Sequence, residues 1–198
     1  MDTRTIETYN ALANEYDAKT KEFWETFPRT FLDQFARLIP KGHVLDVGSG
    51  PGRDGLLLEE MGLTVTCLDA SKTMVSLCRS RGLDAIEGDF SAIPFPDETF
   101  DGAWAYTSLL HIPRNEIGQA LKEIYRILKE EGIFGLGMIE GDTEEYRENM
   151  GEGQSRLFTY YTQTEIKALL DANGFRVVDV EITTPGSRNY LNFIAQKR

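Results

Sequence analysis

Three glycines at alternate positions are the part of this sequence best suited to hold a ligand. Gly48, Gly50 and Gly52 follow the apolar run 43–47 and precede a leucine-rich stretch that favours a helix. Glycine permits positive φ and lets a ligand approach the backbone, and a helix start presents free N–H groups and the positive end of its dipole. The pattern predicts a binding site at the carboxyl end of a strand.

Asp46 indicates which ligand this loop accepts. The segment 50–55 matches the G-x-G-x-x-G pattern of dinucleotide sites, although such a match alone is weak. Asp46 lies two residues before Gly48, where a carboxylate would repel an incoming pyrophosphate and attract a ligand that carries a cation. The residues therefore favour a positively charged nucleoside over a phosphorylated one.

The string 44–52, Val-Leu-Asp-Val-Gly-Ser-Gly-Pro-Gly, resembles motif I of the class I S-adenosylmethionine-dependent methyltransferases that act on small molecules. In that family an acidic residue and one spacer precede G-x-G-x-G, and Asp46, Gly48, Gly50 and Gly52 match these positions. The resemblance extends from motif I to the C-terminus. It implies S-adenosylmethionine as cofactor, S-adenosylhomocysteine as product, and transfer of the methyl group to an O, N, C or S nucleophile of a small molecule by in-line displacement.

Further cofactor contacts follow from the resemblance, at the ends of successive strands. Asp69 would accept hydrogen bonds from the ribose hydroxyls, a role that dinucleotide folds also give to an acidic residue. Met74 would lie against the adenine, although helix packing explains it equally well. Asp89 would accept from the adenine amino group and the Phe90 N–H would donate to the ring, whereas Asp89 alone would be read as a turn residue. The predicted cofactor-binding set is Asp46, Gly48, Ser49, Gly50, Gly52, Asp69, Ala70, Met74, Asp89, Phe90 and Ala105.

The methyl acceptor is expected beyond the fourth and fifth strands. Tyr106, His111 and Glu140 are the predicted catalytic residues, and Tyr16, Tyr106 and Glu140 the predicted substrate contacts. The unperturbed pKa of a histidine suits a base near neutral pH, although His111 is equally consistent with packing. Glu140 would hold an amine or accept its proton, or simply be a solvated strand end. Arg53 would hold the cofactor carboxylate or pair with Asp54.

Short strands alternate with helices along most of the chain. Strands are predicted over 43–47, 63–68, 83–87, 100–106 and 133–139, which favours an α/β, doubly wound, Rossmann-like parallel sheet. Two more strands, over 175–182 and 190–195, are close enough to form an antiparallel hairpin. The resemblance implies the strand order 3-2-1-4-5-7-6. The acidic stretch 140–148 is expected to be a mobile surface loop.

Aromatic residues at helical spacing fill the first 40 residues. They predict helices over 4–19 and 21–38, with a kink or break at Pro28. Core packing is the commoner role for such a stripe, and a lid over the site is the alternative. Tyrosines at positions 9 and 16, the second followed by aspartate, resemble the Y…YD pattern of the family's caps. We expect one domain, 1–198, with a helical cap over 1–40 and the core over 41–198.

The composition limits the classes of partner that the protein is expected to bind. The net charge of −11 disfavours nucleic acid, and no apolar run is long enough to span a membrane. Cys67 and Cys78 are the only cysteines, which suits buried thiols in a reducing cytoplasm better than a disulfide or a metal site. We expect a cytoplasmic monomer or homodimer that acts on a small molecule and needs no metal. A non-catalytic S-adenosylmethionine-binding module and an NAD-dependent oxidoreductase are the alternatives.

Overall fold

The computed structural model describes residues 2–148, 151 and 153–198. The helices of these residues are α1 (Thr3–Thr26), α2 (Thr30–Leu38), α3 (Arg53–Glu60), α4 (Lys72–Ser80), α5 (Ile117–Ile127) and α6 (Gln163–Ala172), with one 3₁₀ turn at Leu109–His111. The strands are β1 (His43–Val47), β2 (Thr64–Asp69), β3 (Asp84–Glu87), β4 (Phe100–Tyr106), β5 (Leu128–Ile139), β6 (Glu144–Arg147), β7 (Arg156–Thr159), β8 (Phe175–Thr183) and β9 (Tyr190–Lys197).

Seven strands form one sheet in the order β3-β2-β1-β4-β5-β9-β8. The pairs among β1 to β5 are parallel, and β9 is antiparallel to both of its neighbours. Without the separate hairpin β6–β7, this is the predicted order 3-2-1-4-5-7-6, which is confirmed. Since parallel strands end at the same edge, β1, β2 and β4 bring their following loops together.

Helices cover both faces of the sheet. One apolar cluster joins the sheet to α5 and α6, and a second joins it to α2, α3 and α4. Neighbouring residues of β1 alternate between the clusters, since Val44 belongs to the second and Leu45 to the first, as the two-residue repeat of a strand requires. The core therefore consists of two layers that fix the loops at the strand ends.

Three elements differ from the sequence prediction. The break at Pro28 is confirmed, but residues 21–26 continue α1, so the second predicted helix is shorter. The stretch 140–148, expected to be a loop, contains β6, which pairs with β7. No local sequence pattern predicts this pairing. The apolar spacing over 114–129 predicts one helix, but α5 ends at Ile127, because Leu128 already pairs with Phe100 in the sheet.

Helix α1 is tied to the core by polar contacts. Asp17 forms ion pairs with Arg53 of α3, at 2.7 Å, and with Arg81 after α4. The Thr73 hydroxyl donates to the carbonyl of Asn10 at 3.0 Å. These contacts place α1 across the loops that follow β1 and β2. Among the described residues, none of the helices has the length and apolar character to cross a membrane.

Candidate cofactor and acceptor site

A cleft lies between α1 and the carboxyl ends of β1, β2 and β4, with about 650 Å³ of space that is partly open to solvent. The residues that line it are Tyr9, Tyr16, Trp24, Gly48, Ser49, Gly50, Pro51, Arg53, Asp54, Asp69, Met74, Phe90, Tyr106, Thr107, Ser108 and His111. The cleft therefore brings together the glycine loop and most of the aromatic residues that the sequence singled out.

The glycine loop takes the backbone shape that its composition predicts. Gly48, Gly50 and Gly52 have φ values of +71°, +53° and +81°, in the left-handed region that other residues avoid. At Gly48 an added Cβ would lie 2.4 Å from the Cβ of Ser108, so no side chain fits there. The loop thus needs glycine at Gly48 for both conformation and space.

The amide groups of this loop are already used inside the protein. The N–H groups of Gly48 and Ser49 both donate to the Leu68 carbonyl, at 2.7 and 3.1 Å. The N–H of Gly50 donates to the Asp69 carboxylate at 2.9 Å. Phosphate-binding glycine loops depend on backbone N–H groups that point at the ligand. These three point at the protein, so the loop as folded offers a pyrophosphate little to bind.

Asp46 lies beneath the loop rather than on the cleft wall. Only 3% of its surface is exposed, and it accepts a hydrogen bond from the backbone N–H of Gly55 in α3. Burial, together with the nearby carboxylate of Asp54, raises the pKa of Asp46 well above its usual value. Its carboxyl group therefore occupies the helix start that a phosphate would need, although the sequence suggested direct contact with the ligand.

Asp69 lies on the cleft wall at the end of β2, as predicted. Its two oxygens accept the N–H groups of Gly50, at 2.9 Å, and of Ser71, at 2.8 Å. Burial raises its pKa to about 6. A carboxylate oxygen can accept a second hydrogen bond, so each oxygen keeps capacity for a hydroxyl donor.

Of the predicted adenine contacts, Met74 and Phe90 line the cleft and are almost fully buried. Asp89 accepts hydrogen bonds from the N–H and hydroxyl of Ser91, which fits the alternative reading of a turn residue. Four residues of the predicted cofactor set, besides Asp46, do not line the cleft: Gly52, Ala70, Asp89 and Ala105.

His111 is placed on the cleft wall but in an environment that makes it a weak base. Its Nδ1 lies 2.6 Å from the Leu157 carbonyl and its Nε2 3.0 Å from the Tyr9 hydroxyl. Because a carbonyl only accepts, we assign the proton to Nδ1, and Nε2 accepts from Tyr9. Burial and the positive charge of Arg156 lower the pKa of His111 to about 3. The neutral-pH base that the sequence suggested does not fit this pKa.

Aromatic rings from α1 and β4 form the opposite wall. Tyr106 stacks on Trp104, with ring centres 5.5 Å apart, and its hydroxyl donates to Asn192 at 3.1 Å. The ring of Trp24 meets Tyr106 edge-on at 6.1 Å, and Tyr16 also lines the cleft. The structure thus brings the predicted residues Tyr16 and Tyr106 to one cavity.

Glu140 does not belong to this cavity, which corrects its prediction as a catalytic and substrate-binding residue. It is exposed, lies outside the cleft lining, and accepts from the side-chain amide of Asn189 at 2.7 Å. After β5 the backbone of Glu140 forms an isolated parallel β-bridge with Tyr161, near the hairpin β6–β7 that the sequence did not predict. Its side chain therefore belongs to the protein surface.

The sequence reasoning gave Asp54 only the role of a surface partner of Arg53, and it named Ser108 as a candidate in the loop that follows β4. Asp54, in the first turn of α3, accepts from the indole Nε1 of Trp104 at 2.9 Å, whereas Arg53 pairs with Asp17. The hydroxyl of Ser108 donates to the Val47 carbonyl at 2.6 Å. The position of Asp54 directly after a glycine loop was the signal that could have assigned it to the cleft.

Comparison with known proteins agrees with this architecture. A model of the family described as "Methyltransferase domain" matches residues 45–136, which hold the glycine loop, Asp69 and His111. The chain is 34% identical over 147 residues, 65% of its length, to a demethylmenaquinone methyltransferase of Symbiobacterium thermophilum. It is 32% identical over 114 residues, 53% of its length, to sterol methyltransferase-like 3 of Botryococcus braunii. Over the segment that carries the cleft residues, the chain is therefore similar to a methyltransferase domain.

Solved structures show the same fold. A 1,6-didemethyltoxoflavin-N1-methyltransferase of Burkholderia thailandensis, solved with its substrate and S-adenosylhomocysteine, superposes with a TM-score of 0.73 at 23% identity. The match covers 96% of this chain and 88% of that one. Among the curated relatives, however, the aligned region spans only 29% of the Botryococcus protein and 56% of the Symbiobacterium protein.

Proposed function

We propose that this chain binds S-adenosylmethionine in the cleft and transfers its methyl group to a small molecule. The observation that carries the proposal is a cleft at the strand ends with carboxylates on its wall and a glycine loop whose amides are already bonded. Such a wall attracts a cation and gives a phosphate little to hold. S-adenosylmethionine is a nucleoside with a positive sulfonium, so its chemistry suits the residues present.

The predicted contacts that line the cleft then have separate parts in binding. Asp69 accepts the ribose hydroxyls, while Met74 and Phe90 pack against the adenine. When bound, the cofactor supplies a methyl group already activated by the sulfonium. The residues of the chain need only hold the two reactants in line and exclude water, because proximity and alignment supply most of the acceleration.

The acceptor is proposed to lie among Tyr9, Tyr16, Trp24, Tyr106 and His111. These side chains make a largely aromatic wall, which favours a planar or apolar molecule over a highly charged one. His111 acts here as a neutral wall residue that holds Tyr9, since its pKa of about 3 prevents it from taking a proton near neutral pH. Two relatives, named as a demethylmenaquinone methyltransferase and a sterol methyltransferase-like protein, support an apolar acceptor of this kind.

Transfer is tested with S-adenosylmethionine carrying a labelled methyl group and a panel of aromatic and apolar acceptors. We expect a labelled product from at least one acceptor, and none with the Gly48→Ala variant. Binding of S-adenosylhomocysteine without labelled product from any acceptor would instead support the alternative of a non-catalytic binding module.

Three further expectations accompany this proposal. We propose that the protein forms one domain with α1 and α2 as its cap, since α1 lines the cleft and is ion-paired to the core. We propose the cytoplasm as its compartment, because Cys67 and Cys78 are both free and buried. The net charge of −11 keeps nucleic acid an unfavourable partner, and a monomer or homodimer remains our expectation.

A further inference from the structure

Asp54 is a carboxylate on the cleft wall that lies outside the matched family motifs. It occupies the first turn of α3, directly after the glycine loop, and one fifth of its side chain is exposed. Together with Asp69 it gives the cleft two carboxylates, one at the end of β2 and one at the start of α3. A ligand that fills this cleft therefore meets negative charge at two separate points.

The position of Asp54 is fixed by Trp104. The indole Nε1 donates to Oδ2 of Asp54 at 2.9 Å, and Trp104 is itself 1% exposed and packed against Phe31 and Tyr106. The second oxygen, Oδ1, forms an ion pair with Nη1 of Arg29 at 3.4 Å, which is long for a charge-assisted hydrogen bond. Asp54 is thus held rigidly while keeping capacity to accept from a ligand.

The other nearby carboxyl groups are less able to bind a ligand cation. Asp46 is buried beneath the loop and accepts from the Gly55 amide. Asp69 accepts one backbone N–H on each oxygen, and its remaining capacity is assigned to the ribose hydroxyls. Burial raises the pKa of Asp54 despite the opposing effects of Trp104, Arg29 and Arg53, and a further cationic partner would lower it.

We propose that Asp54 binds the ammonium group of the methionine portion of the cofactor. Asp69 then recognises the nucleoside, and the first turn of α3 recognises the amino acid. This inference rests on the proposed function, because it requires the cofactor to lie in this cleft. It makes Asp54 responsible for distinguishing the full cofactor from nucleoside thioethers that lack the amino group.

The test is a calorimetric cycle on the full chain with two ligands. S-adenosylhomocysteine carries the ammonium, and its deaminated analogue keeps the carboxylate but lacks the ammonium. We expect the Asp54→Asn variant to bind S-adenosylhomocysteine about 10- to 100-fold more weakly, since a hydrogen bond between charged groups is lost. The same variant should bind the deaminated analogue as the wild type does, within about twofold. Glu59→Gln, which removes an exposed carboxylate from the same helix, should change neither affinity.

Several results would overturn this role for Asp54. Equal weakening of both ligands in Asp54→Asn would show that the residue acts through the fold of the loop, and unchanged binding of both would show no contact. Should the variant fail to fold, the wild type alone decides: it must bind the deaminated analogue at least about tenfold more weakly than S-adenosylhomocysteine. A wild type that binds neither ligand would overturn the proposed function as well, whereas the preceding results leave that function standing.

Discussion

The two halves of the cleft are built in different ways. The cofactor half comes from short, continuous segments: the glycine loop after β1, Asp69 after β2 and Phe90 after β3. The acceptor half is assembled across the chain, since Tyr9 meets His111, which lies 102 residues further on, and Arg156 reaches Tyr9 from 147 residues away. A site built locally is visible as a motif, whereas a site built from distant segments is not.

The halves also differ in electrostatics. The cofactor half holds carboxyl groups whose pKa values burial has raised, Asp69 to about 6. The acceptor half holds a histidine whose pKa is lowered to about 3 by burial and by Arg156. Near neutral pH the first half therefore senses the charge of a ligand, and the second presents a neutral wall.

The largest effect should come from Gly48→Ala. The added Cβ would lie 2.4 Å from Ser108 and 2.8 Å from Phe90, in a backbone conformation with φ of +71°. We expect this variant to show no binding of S-adenosylhomocysteine when it is measured by calorimetry. The matched control is Gly62→Ala, at a φ of +87° with open space around it, which should lose only about 1–2 kcal/mol of unfolding free energy. Normal binding by Gly48→Ala would contradict the loop's role.

Asp69→Ala should have the next largest effect. It removes the acceptor for two ribose hydroxyls, and hydrogen bonds to a charged group contribute about 1.5–3 kcal/mol each. We expect the affinity for S-adenosylhomocysteine to fall about 100-fold, measured by calorimetry. Exposed Asp97, replaced by Ala, serves as the control and should bind as the wild type does. Unchanged affinity in Asp69→Ala would rule out the ribose contact.

The pH dependence of binding sharpens the electrostatic contrast. Because the pKa of Asp69 in the ligand-free protein is about 6, its carboxyl group is mostly protonated at pH 5 and mostly ionised at pH 7. The ionised form accepts hydroxyl donors, so affinity should rise about tenfold from pH 5 to pH 7 and then level off. Asp54 acts in the same direction, so Asp69→Asn should reduce the rise rather than reverse it. Affinity that falls over this interval would contradict the assignment.

The smallest expected change concerns His111, whose NMR signals should not titrate. The chain has two histidines, so His43→Gln leaves the signals of His111 alone. With a pKa of about 3, the ring should stay neutral from pH 5 to pH 8. A titration midpoint of the His111 signals near pH 6.5 would restore His111 as a candidate base and remove the electrostatic contrast between the two halves of the cleft.

The sequence was sufficient for the local features and insufficient for the long-range ones. Alternation of strands and helices predicted the sheet, and the glycine spacing predicted the left-handed loop, because backbone conformation there depends on adjacent residues. The hairpin β6–β7 was missed, since its pairing joins residues up to 15 positions apart across a polar segment.

Side-chain direction was the second limit. Asp46 and Glu140 were both predicted to contact a ligand from their places at strand ends. The structure turns Asp46 under the loop and leaves Glu140 on the surface beside Asn189. A strand end fixes where a residue lies but not which way its side chain points.

In the folded loop the amides of Gly48, Ser49 and Gly50 are bonded within the protein, while the cleft walls attract a nucleoside that carries a cation. Calorimetry of the wild-type chain with S-adenosylhomocysteine and with NAD tests the resulting ligand preference most directly. We expect S-adenosylhomocysteine to bind with a defined stoichiometry of one, and NAD to give no binding heat under the same conditions. NAD bound with comparable affinity, and displaced by S-adenosylhomocysteine, would contradict the account.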